Sequence, residues 1–232
     1  MPDFDKKAVV LLSGGLDSST VTAIAHHKNY KIHCLSFNYD QKNIAELNAA
    51  KKIASFFKAE QHLILDVSLG KIGGSALTAD IEVPKNQDVD HVKKNDIPIT
   101  YVPARNTIFL SYALAWAEVL MADTIFIGVN VMDYSGYPDC RQEYITAFEN
   151  MANLATKAGV TGNTLIKIKT PLISLTKAEI IKKGTKLNLD YSLTLSCYDP
   201  DAKGKACGEC DSCLQRKKGF KEAGVKDPTI YQ

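Results

Sequence analysis

The stretch Ala8-Val-Val-Leu-Leu-Ser-Gly-Gly-Leu-Asp-Ser-Ser-Thr20 runs from a short apolar segment through two glycines into a helical pattern. A continuous apolar run of this length is typical of a strand buried on both faces, as in a parallel sheet. The glycines let the backbone turn tightly and approach an anion without an intervening Cβ atom. The amides and hydroxyls that open the helix, at the positive end of its dipole, offer donors to phosphate. The stretch therefore predicts a phosphate-binding loop at the carboxyl end of a first β-strand.

Strand and helix patterns alternate along most of the chain. Strands are predicted at residues 8–12, 31–39, 62–67, 124–129 and 165–172. Helices are predicted at residues 18–28, 46–57, 106–121, 140–158 and 176–187. Such alternation calls for right-handed crossovers and a parallel sheet, so we predict a doubly wound, Rossmann-like α/β fold. A long connection rich in glycine and proline, residues 69–105, interrupts the pattern and is expected to be functional or partly mobile.

The composition limits the kind of protein that this chain can be. Its 232 residues are 45% hydrophobic and 23% charged, which favours a packed core and excludes a disordered or coiled-coil chain. Lys and Arg number 28 against 26 Asp and Glu, so no strong field attracts nucleic acid or membranes. No apolar run approaches the roughly 18 residues of a spanning helix, and the N-terminal apolar segment is too short for a secretion signal. We expect a cytoplasmic protein without a membrane or nucleic-acid partner.

Four of the six cysteines form the pattern C-x9-C-x2-C-x2-C, namely Cys197, Cys207, Cys210 and Cys213. Four thiolates fill the tetrahedral shell of Zn²⁺, and a closed shell is typical of structural rather than catalytic zinc. An iron–sulfur cluster or a redox CxxC pair is the alternative. The chain is therefore predicted to divide into an α/β domain, residues 1–190, and a small zinc-binding tail, residues 191–232, that packs on it.

The loop Ser13-Gly-Gly-Leu-Asp-Ser-Ser19 differs from the common nucleotide loops, because it has neither a Walker A ending nor a GxGxxG spacing. An acidic residue in a phosphate cradle indicates a bridging Mg²⁺ or a role in shaping the loop, although Asp17 or Ser18 as a simple helix cap is the alternative. The loop resembles the pyrophosphatase loop (PP-loop) of the N-type ATP pyrophosphatases. This resemblance implies an adenine nucleotide alpha hydrolase-like fold and an enzyme that splits ATP to activate an oxygen atom.

Two further segments narrow the resemblance: Val102-Pro-Ala-Arg-Asn-Thr107 and Gly128-Val-Asn-Val-Met-Asp-Tyr-Ser-Gly-Tyr-Pro-Asp-Cys-Arg141. With the loop and the four cysteines, they resemble the 7-cyano-7-deazaguanine (preQ0) synthase family of queuosine biosynthesis. The resemblance implies an ATP-dependent carbon–nitrogen ligase that converts 7-carboxy-7-deazaguanine and ammonia to the nitrile through an activated carboxylate and an amide. It also implies one structural Zn²⁺, ATP with Mg²⁺ as co-substrate, and a homodimer.

The loop supplies the expected ATP-binding residues: Leu12, Ser13, Gly14, Gly15, Leu16, Asp17, Ser18, Ser19 and Thr20. Arg105 and Arg141 are the candidate cations for the substrate carboxylate or for charge at a phosphate, since arginine binds oxyanions bidentately. Arg105 as a mere fold contact is the alternative.

The polar segment before residue 141 supplies candidate substrate contacts. Asp133 or Asp139 is expected to accept hydrogen bonds from the N–H edge of a guanine-like ring. Tyr134 or Tyr137 is expected to stack on that ring. The alternative for Asp139 is that it caps the helix that follows.

One segment departs from the family pattern. The family commonly shows Tyr-x-Gln-Arg-His after the second strand, whereas this chain has Tyr39-Asp-Gln-Lys-Asn43. Gln41 and Lys42 remain candidate contacts, but lysine lacks the planar fork of arginine. Two other functions stay open: a PP-loop tRNA-modifying enzyme that adenylates a base, and a non-catalytic zinc-stapled ATP-binding module. A thiolating enzyme would need a reactive thiol, for which Cys140 is the candidate.

Overall fold

Five parallel strands form the centre of the computed structural model, which describes residues 6–41, 45–86, 97–131, 137–162 and 164–232. They are β1 (Lys7–Leu11), β2 (Lys31–Asn38), β3 (Gln61–Asp66), β4 (Thr124–Phe126) and β5 (Lys167–Lys169). Their order in the sheet is β3-β2-β1-β4-β5, and all neighbouring pairs are parallel. The predicted doubly wound α/β fold is confirmed.

The sheet has a topological switch point beside β1. The chain builds outward from β1 to β2 and β3, then crosses to the other side of β1 to add β4 and β5. Val10 lies opposite Cys34 on one side and Phe126 on the other. A crevice opens where connections leave the carboxyl ends of such strands in opposite directions, and ligands bind there in open α/β sheets.

Seven α-helices are present in the described residues: α1 (Leu16–His27), α2 (Ala45–Phe56), α3 (Arg105–Leu120), α4 (Gln142–Ala155), α5 (Lys157–Val160), α6 (Lys177–Lys186) and α7 (Asp211–Ala223). The long helix predicted at residues 140–158 is interrupted. Thr156 has an extended backbone (φ −107°, ψ 150°), and its side chain accepts a hydrogen bond from the Gly159 N–H, so it starts a new helix, α5. Helix α7 was not predicted, because the cysteine-rich tail shows no strong apolar period.

Buried clusters lie on both faces of the sheet. Val9 belongs to the cluster under α3 and α4, whereas Val10 belongs to the cluster under α1, α6 and α7. Both side chains are fully buried. The continuous apolar character of β1 thus follows from burial on two faces. No helix among the described residues is long and apolar enough to cross a membrane.

The C-terminal segment contributes to the same clusters. Tyr191 and Phe220 pack with Ile180 of α6, and their rings meet edge to face at 5.3 Å. A Cβ atom on Gly219 would lie 2.4 Å from the Lys177 Cγ, which shows how closely α7 crosses α6. The domain boundary at residue 190 remains a prediction, although the apolar packing continues across it.

Arg216 of α7 is hydrogen-bonded to the segment that follows residue 190. Its guanidinium is 2% exposed and lies 3.1 Å from the Asp227 carboxylate. It also donates to the Thr194 Oγ1 at 2.8 Å and to the Tyr191 carbonyl at 3.1 Å. A buried arginine with several such partners fixes the geometry of the elements that it joins.

Replacing Phe220 by alanine tests whether the tail and the sheet share one core. We expect Phe220→Ala to lower the free energy of unfolding by about 3–5 kcal/mol, since it leaves a cavity at a fully packed position. Chemical denaturation should show one transition, moved as a whole to lower denaturant. Ile230→Ala, at a tail position that is 69% exposed, is the control and should shift the midpoint little. A separate tail transition in Phe220→Ala, with the main midpoint unchanged, would contradict the shared core.

Candidate active site

A cavity of about 290 Å³ lies at the carboxyl ends of β1 and β2 and beside the segment that follows β4. Several residues singled out in the sequence line it: Leu12, Ser13, Gly15, Leu16, Asp17, Ser18, Gln41, Arg105 and Tyr137. Others do not belong to its wall: Gly14, Ser19, Thr20, Asp139 and Arg141. Lys42, Asp133 and Tyr134 fall outside the described residues. The cavity occupies the switch point, where the sheet topology places a ligand.

Ser18 organises the phosphate-loop backbone. The Ser13 N–H donates to the Ser18 Oγ at 3.2 Å, and the two hydroxyl oxygens lie 3.0 Å apart. The Gly15 N–H donates to the Ser13 Oγ at 3.2 Å. Helix α1 begins at Leu16 with Gly15 as its N-cap, a residue without a side chain, and neither Asp17 nor Ser18 is the N-cap. The alternative that Asp17 or Ser18 only caps the helix is therefore wrong, and the helix N-terminus is open to an anion.

The loop is closely packed by backbone on two sides. Gly14 has a left-handed φ of +90°, and a Cβ atom there would lie 2.4 Å from the Glu46 carbonyl oxygen. A Cβ atom on Gly128 would lie 3.1 Å from the Ser18 nitrogen. Glycine is needed at Gly14 both for its conformation and for this contact with α2. The segment after β4 and the first turn of α2 thus form opposite walls around the loop.

Asp17, in the first turn of α1, is paired with Lys177 of α6. The Lys177 Nζ lies 2.9 Å from both carboxylate oxygens. The sequence analysis did not single out Lys177, because it is 160 residues away in the chain and begins an ordinary amphipathic helix. The pair places a cation and a carboxylate together at the open end of the phosphate loop.

Ser19 and Thr20 face the core. Both side chains are fully buried. The Thr20 Oγ1 donates to the Leu16 carbonyl at 2.8 Å and lies 2.9 Å from the Tyr191 hydroxyl. Thr20 thus joins α1 to the C-terminal segment, and its predicted contact with ATP is not supported by its position.

Arg105 is the first residue of α3 and points into the cavity beside Tyr39. Its Nη1 lies 3.5 Å from the Tyr39 hydroxyl, and its Cζ is 5.9 Å from the centre of that ring. Burial disfavours the charge of this guanidinium, but the surrounding phenolic oxygens and the Asp139 carboxylate outweigh burial and raise the pKa of Arg105. Arg105 is therefore a fixed positive charge in the cavity wall.

Asp139 caps α3. Its Oδ2 accepts from the Asn106 N–H at 3.0 Å, and its carbonyl accepts from the Asn106 Nδ2 at 3.2 Å. The alternative that it caps the helix that follows it is thus wrong, because its carboxylate turns back to α3. A carboxylate at a helix N-terminus stabilises the helix dipole and here also orients Arg105, the neighbouring residue.

Three other candidates occupy different surroundings. Tyr137 lies in the cavity wall, with its hydroxyl 3.0 Å from the Thr100 Oγ1. Gln41 also lines the cavity, but its Oε1 accepts from the Tyr39 N–H at 2.7 Å, so it shapes the turn after β2. Arg141 is exposed at the start of α4, where its Nε donates to the Pro138 carbonyl. The structure therefore places Tyr137 and Gln41 in the same cavity wall as Arg105 but leaves Arg141 outside it.

Cys140 lines the cavity as a neutral thiol. Burial, with a smaller contribution from the adjacent Asp139 carboxylate, raises the pKa of Cys140 to about 12. The Asn106 Nδ2 donates to its sulfur at 3.3 Å. A thiolating enzyme needs a thiolate nucleophile, so this surrounding argues against that role.

The sequence analysis missed several polar residues of the cavity wall: Glu46, Asn130, Lys177, Ser196, Tyr198 and Arg216. The Ser196 Oγ accepts from the Leu16 N–H at 3.2 Å, which ties the cysteine segment to the phosphate loop. Glu46 had one local signal, its position in the first turn of a predicted helix after the second strand. Only the tertiary fold brings these residues to the loop.

The four cysteines of the tail form a cluster that could hold a metal ion. The sulfurs of Cys197, Cys207, Cys210 and Cys213 all lie within 4.8 Å of one another. Backbone amides surround them: the Cys207 N–H donates to the Cys197 sulfur at 3.2 Å, and the Cys210 N–H donates to the Cys207 sulfur at 3.3 Å. Such N–H groups stabilise thiolate charge, so the donor set and its surroundings fit a four-coordinate metal.

Comparison with known proteins identifies the family. The model of the family described as "Queuosine biosynthesis protein QueC" matches residues 7–224. The chain belongs to this QueC family. The matched range contains the phosphate loop, Arg105 and all four clustered cysteines, so the site described above is part of the family region.

Several relatives cover nearly the whole chain, and the two described next are both named 7-cyano-7-deazaguanine synthase. The protein from Desulfatibacillum aliphaticivorans is 62% identical over 226 residues, which are 97% of each chain. The protein from Hydrogenovibrio crunogenus is 62% identical over 233 residues, which are 100% of this chain and 98% of that protein. The solved NMN synthetase of Francisella tularensis is 13% identical, has a TM-score of 0.50 and covers 96% of this chain and 78% of its own. That likeness shows a shared fold.

Removing one cysteine tests the metal centre of this QueC family member. We expect Cys210→Ala to lose its bound metal and to unfold at markedly lower temperature, since structural metal sites contribute on the order of 10 kcal/mol. Elemental analysis of the purified protein measures the first effect and thermal denaturation the second. Cys34→Ala, at a buried cysteine outside the cluster, is the control and should retain the metal. Full metal content in Cys210→Ala would contradict the assignment of this ligand.

Proposed function

We propose that this chain is an ATP-dependent ligase that converts 7-carboxy-7-deazaguanine and ammonia to 7-cyano-7-deazaguanine in queuosine biosynthesis. The observation that carries the proposal is a phosphate loop that shares one cavity with Arg105, in a chain 62% identical to proteins named for this product. The two alternatives from the sequence, a tRNA-modifying enzyme and a non-catalytic ATP-binding module, gain no support from these relatives. The neutral Cys140 thiol adds an argument against sulfur chemistry.

The reaction explains why a phosphate site must meet a carboxylate site. A carboxylate is a poor electrophile, and ammonia added to it forms only a salt. Transfer of a phosphoryl or adenylyl group from ATP to a carboxylate oxygen creates a leaving group, which ammonia displaces to give the amide. Activation of the amide oxygen in a second round allows its loss as the nitrile forms. One cavity serves both rounds if it holds the acid and the amide alike.

In the proposed complex, the phosphate loop and the charged residues beside it bind different parts of Mg-ATP. The open N-terminus of α1, with Ser13 and Gly15, offers donors to the phosphates. Lys177 supports the same anion, and Asp17 beside it is the carboxylate available to a Mg²⁺ that accompanies ATP. Arg105 holds the carboxylate of the substrate or the charge that develops at the transferred phosphorus.

The remaining wall of the cavity is suited to a flat heterocycle. Tyr39 and Tyr137 contribute aromatic rings to this wall, and so do Phe37 and Phe109, whose rings stack on each other at 3.9 Å. Tyr137 is the stacking candidate among the described residues. Asp133 and Tyr134 remain predictions from the sequence for the polar edge and for stacking.

We assign Zn²⁺ to the four-cysteine cluster. All four ligands are thiolates, the donor set of structural zinc, and no coordination position is left for a substrate. When bound, the metal supplies a fixed crosslink between residues 197 and 213 rather than chemistry. From the family resemblance we also propose a homodimer that works in the cytoplasm.

The direct test is mass spectrometry of the purified protein incubated with Mg-ATP, ammonium and 7-carboxy-7-deazaguanine. We expect a nitrile product that forms only with ATP, and the nucleotide by-product identifies which phosphate bond is cut. Bound ATP without nitrile, together with modified tRNA in a parallel incubation, would overturn the proposal in favour of the tRNA-modifying alternative.

Replacing Asp17 tests the role of the phosphate loop. We expect Asp17→Ala to reduce nitrile formation by at least about 100-fold, because the carboxylate that positions the metal and Lys177 is lost. Circular dichroism and thermal denaturation should show that the fold persists. Asp80→Ala removes an exposed carboxylate outside the cavity and should retain normal turnover. Near-normal activity of Asp17→Ala would contradict its assigned role.

A further inference from the structure

Glu46 is a carboxylate in the cavity wall that has no role in the proposed binding of ATP or of the acid. It lies in the first turn of α2 and lines the cavity. Its backbone is packed on the phosphate loop, since its carbonyl oxygen would lie 2.4 Å from a Cβ atom on Gly14. Glu46 is therefore fixed next to the place where the phosphates bind.

The two carboxylates of the described cavity wall differ in their partners. Asp17 is held by Lys177, with both carboxylate oxygens at 2.9 Å. For Glu46, no hydrogen bond or ion pair to another described residue is found, and residues 42–44 just before its helix lie outside the described ranges. A carboxylate that faces a cavity in this way can bind a small cation or accept a proton.

The groups that face Glu46 come from several elements. Arg105 of α3 is the nearby cation, and Tyr39 lies beside both of them. The part of the phosphate loop that packs against the Glu46 backbone is the uncharged Gly14. The other titratable groups of the cavity wall belong to Asp17, Tyr137, Cys140, Lys177, Cys197, Tyr198 and Arg216.

We infer that Glu46 is the catalytic residue that binds ammonium in the cavity and accepts its proton, which generates the ammonia that attacks the activated carboxyl carbon. The inference rests on the proposed function, for which it names the missing base. Ammonia is almost wholly ammonium at neutral pH, and ammonium has no lone pair with which to attack. A group that takes up the proton next to the activated carbon therefore turns the abundant ammonium into the nucleophile at the place where it reacts.

The first round converts the activated acid to the amide, and every proton and electron pair has a destination. Ammonium gives one proton to the Glu46 carboxylate, and the nitrogen lone pair forms the C–N bond at the activated carbon. The bond from that carbon to the activated oxygen breaks, and the leaving group takes the electron pair. The nitrogen then loses a second proton to water, which leaves the neutral amide, and Glu46 releases its own proton to water before the next round.

The surroundings of Glu46 suit this role in the neutral pH range. Burial, opposed in part by the positive charge of Arg105, raises the pKa of Glu46 to about 7. Catalysis by a base works best when its pKa lies near the operating pH. The base form predominates above this pKa, so kcat/KM for ammonium should rise with pH and level off above about pH 7.

The test compares two nitrogen nucleophiles in Glu46→Gln, which keeps the shape of the side chain and removes its basicity. Hydroxylamine is largely unprotonated at neutral pH and needs no base to attack, giving the hydroxamate. We expect Glu46→Gln to lose about 100-fold in ammonium-dependent turnover and to form the hydroxamate within a few-fold of the unmodified protein. Its residual rate with ammonium should keep rising with pH in proportion to free ammonia. Glu143→Gln is the matched control, since Glu143 also lies in the first turn of a helix but is exposed.

The measured rates distinguish a base role for Glu46 from a structural role, and both from a failure of the proposed function. Equal losses with both nucleophiles would show that Glu46 only shapes the cavity or holds the heterocycle, and would overturn the inference. Unchanged turnover with ammonium would overturn it as well. Glu46→Asp, which restores a carboxylate, should recover part of the ammonium rate and the levelling above pH 7. Failure of the unmodified protein to form any nitrile or hydroxamate would overturn the proposed function itself.

Discussion

Three distant parts of the chain meet at the backbone of Gly14. Its left-handed conformation leaves no room for a side chain, since a Cβ atom would lie 2.4 Å from the Glu46 carbonyl oxygen and 2.6 Å from the Ala50 nitrogen. The Gly14 carbonyl in turn accepts from the Leu195 N–H at 3.0 Å. One glycine therefore lets the end of β1, the first turn of α2 and the start of the cysteine segment pack directly against one another. The positions of the anion site, of Glu46 and of the metal cluster all depend on this close approach.

Short segments of chain and a few hydrogen bonds link the metal cluster to the cavity wall. Cys197 follows Ser196, whose Oγ accepts from the Leu16 N–H at 3.2 Å in the first turn of α1. On its other side the cluster holds the long connection before α3, because the Asn86 N–H donates to the Glu209 carbonyl at 2.9 Å and Lys85 pairs with Asp199. Metal binding free energy is folding free energy where the site needs the metal to assemble. The cysteine segment thus contacts both the phosphate loop and the connection that precedes α3.

The parts of the site that could be predicted are those whose signal is local. The strand, the loop and the start of α1 are contiguous in the chain. The spacing of the cysteines is also local, and it is enough to predict that the four thiols lie together. The pairing of Asp17 with Lys177 spans 160 residues and depends on how α6 packs against α1. Asp139 was expected to bind substrate or to cap the following helix, but its carboxylate reaches back to the Asn106 N–H of α3. Helical periodicity reports which face of a helix is buried, and not which distant polar group that face will meet.

The charges of the cavity are coupled through Arg105. In the described structure Lys177 pairs with Asp17, and Arg216 pairs with Asp227, so these cations are already balanced by carboxylates. Arg105 has phenolic neighbours instead, and its field lowers the pKa of Glu46 against the effect of burial. An anion bound at Arg105 offsets that field, which raises the affinity of Glu46 for a proton. In the reaction that we propose, binding of the substrate carboxylate or of a phosphate would therefore make Glu46 a stronger base for the bound ammonium, and departure of the anion would help Glu46 to release its proton.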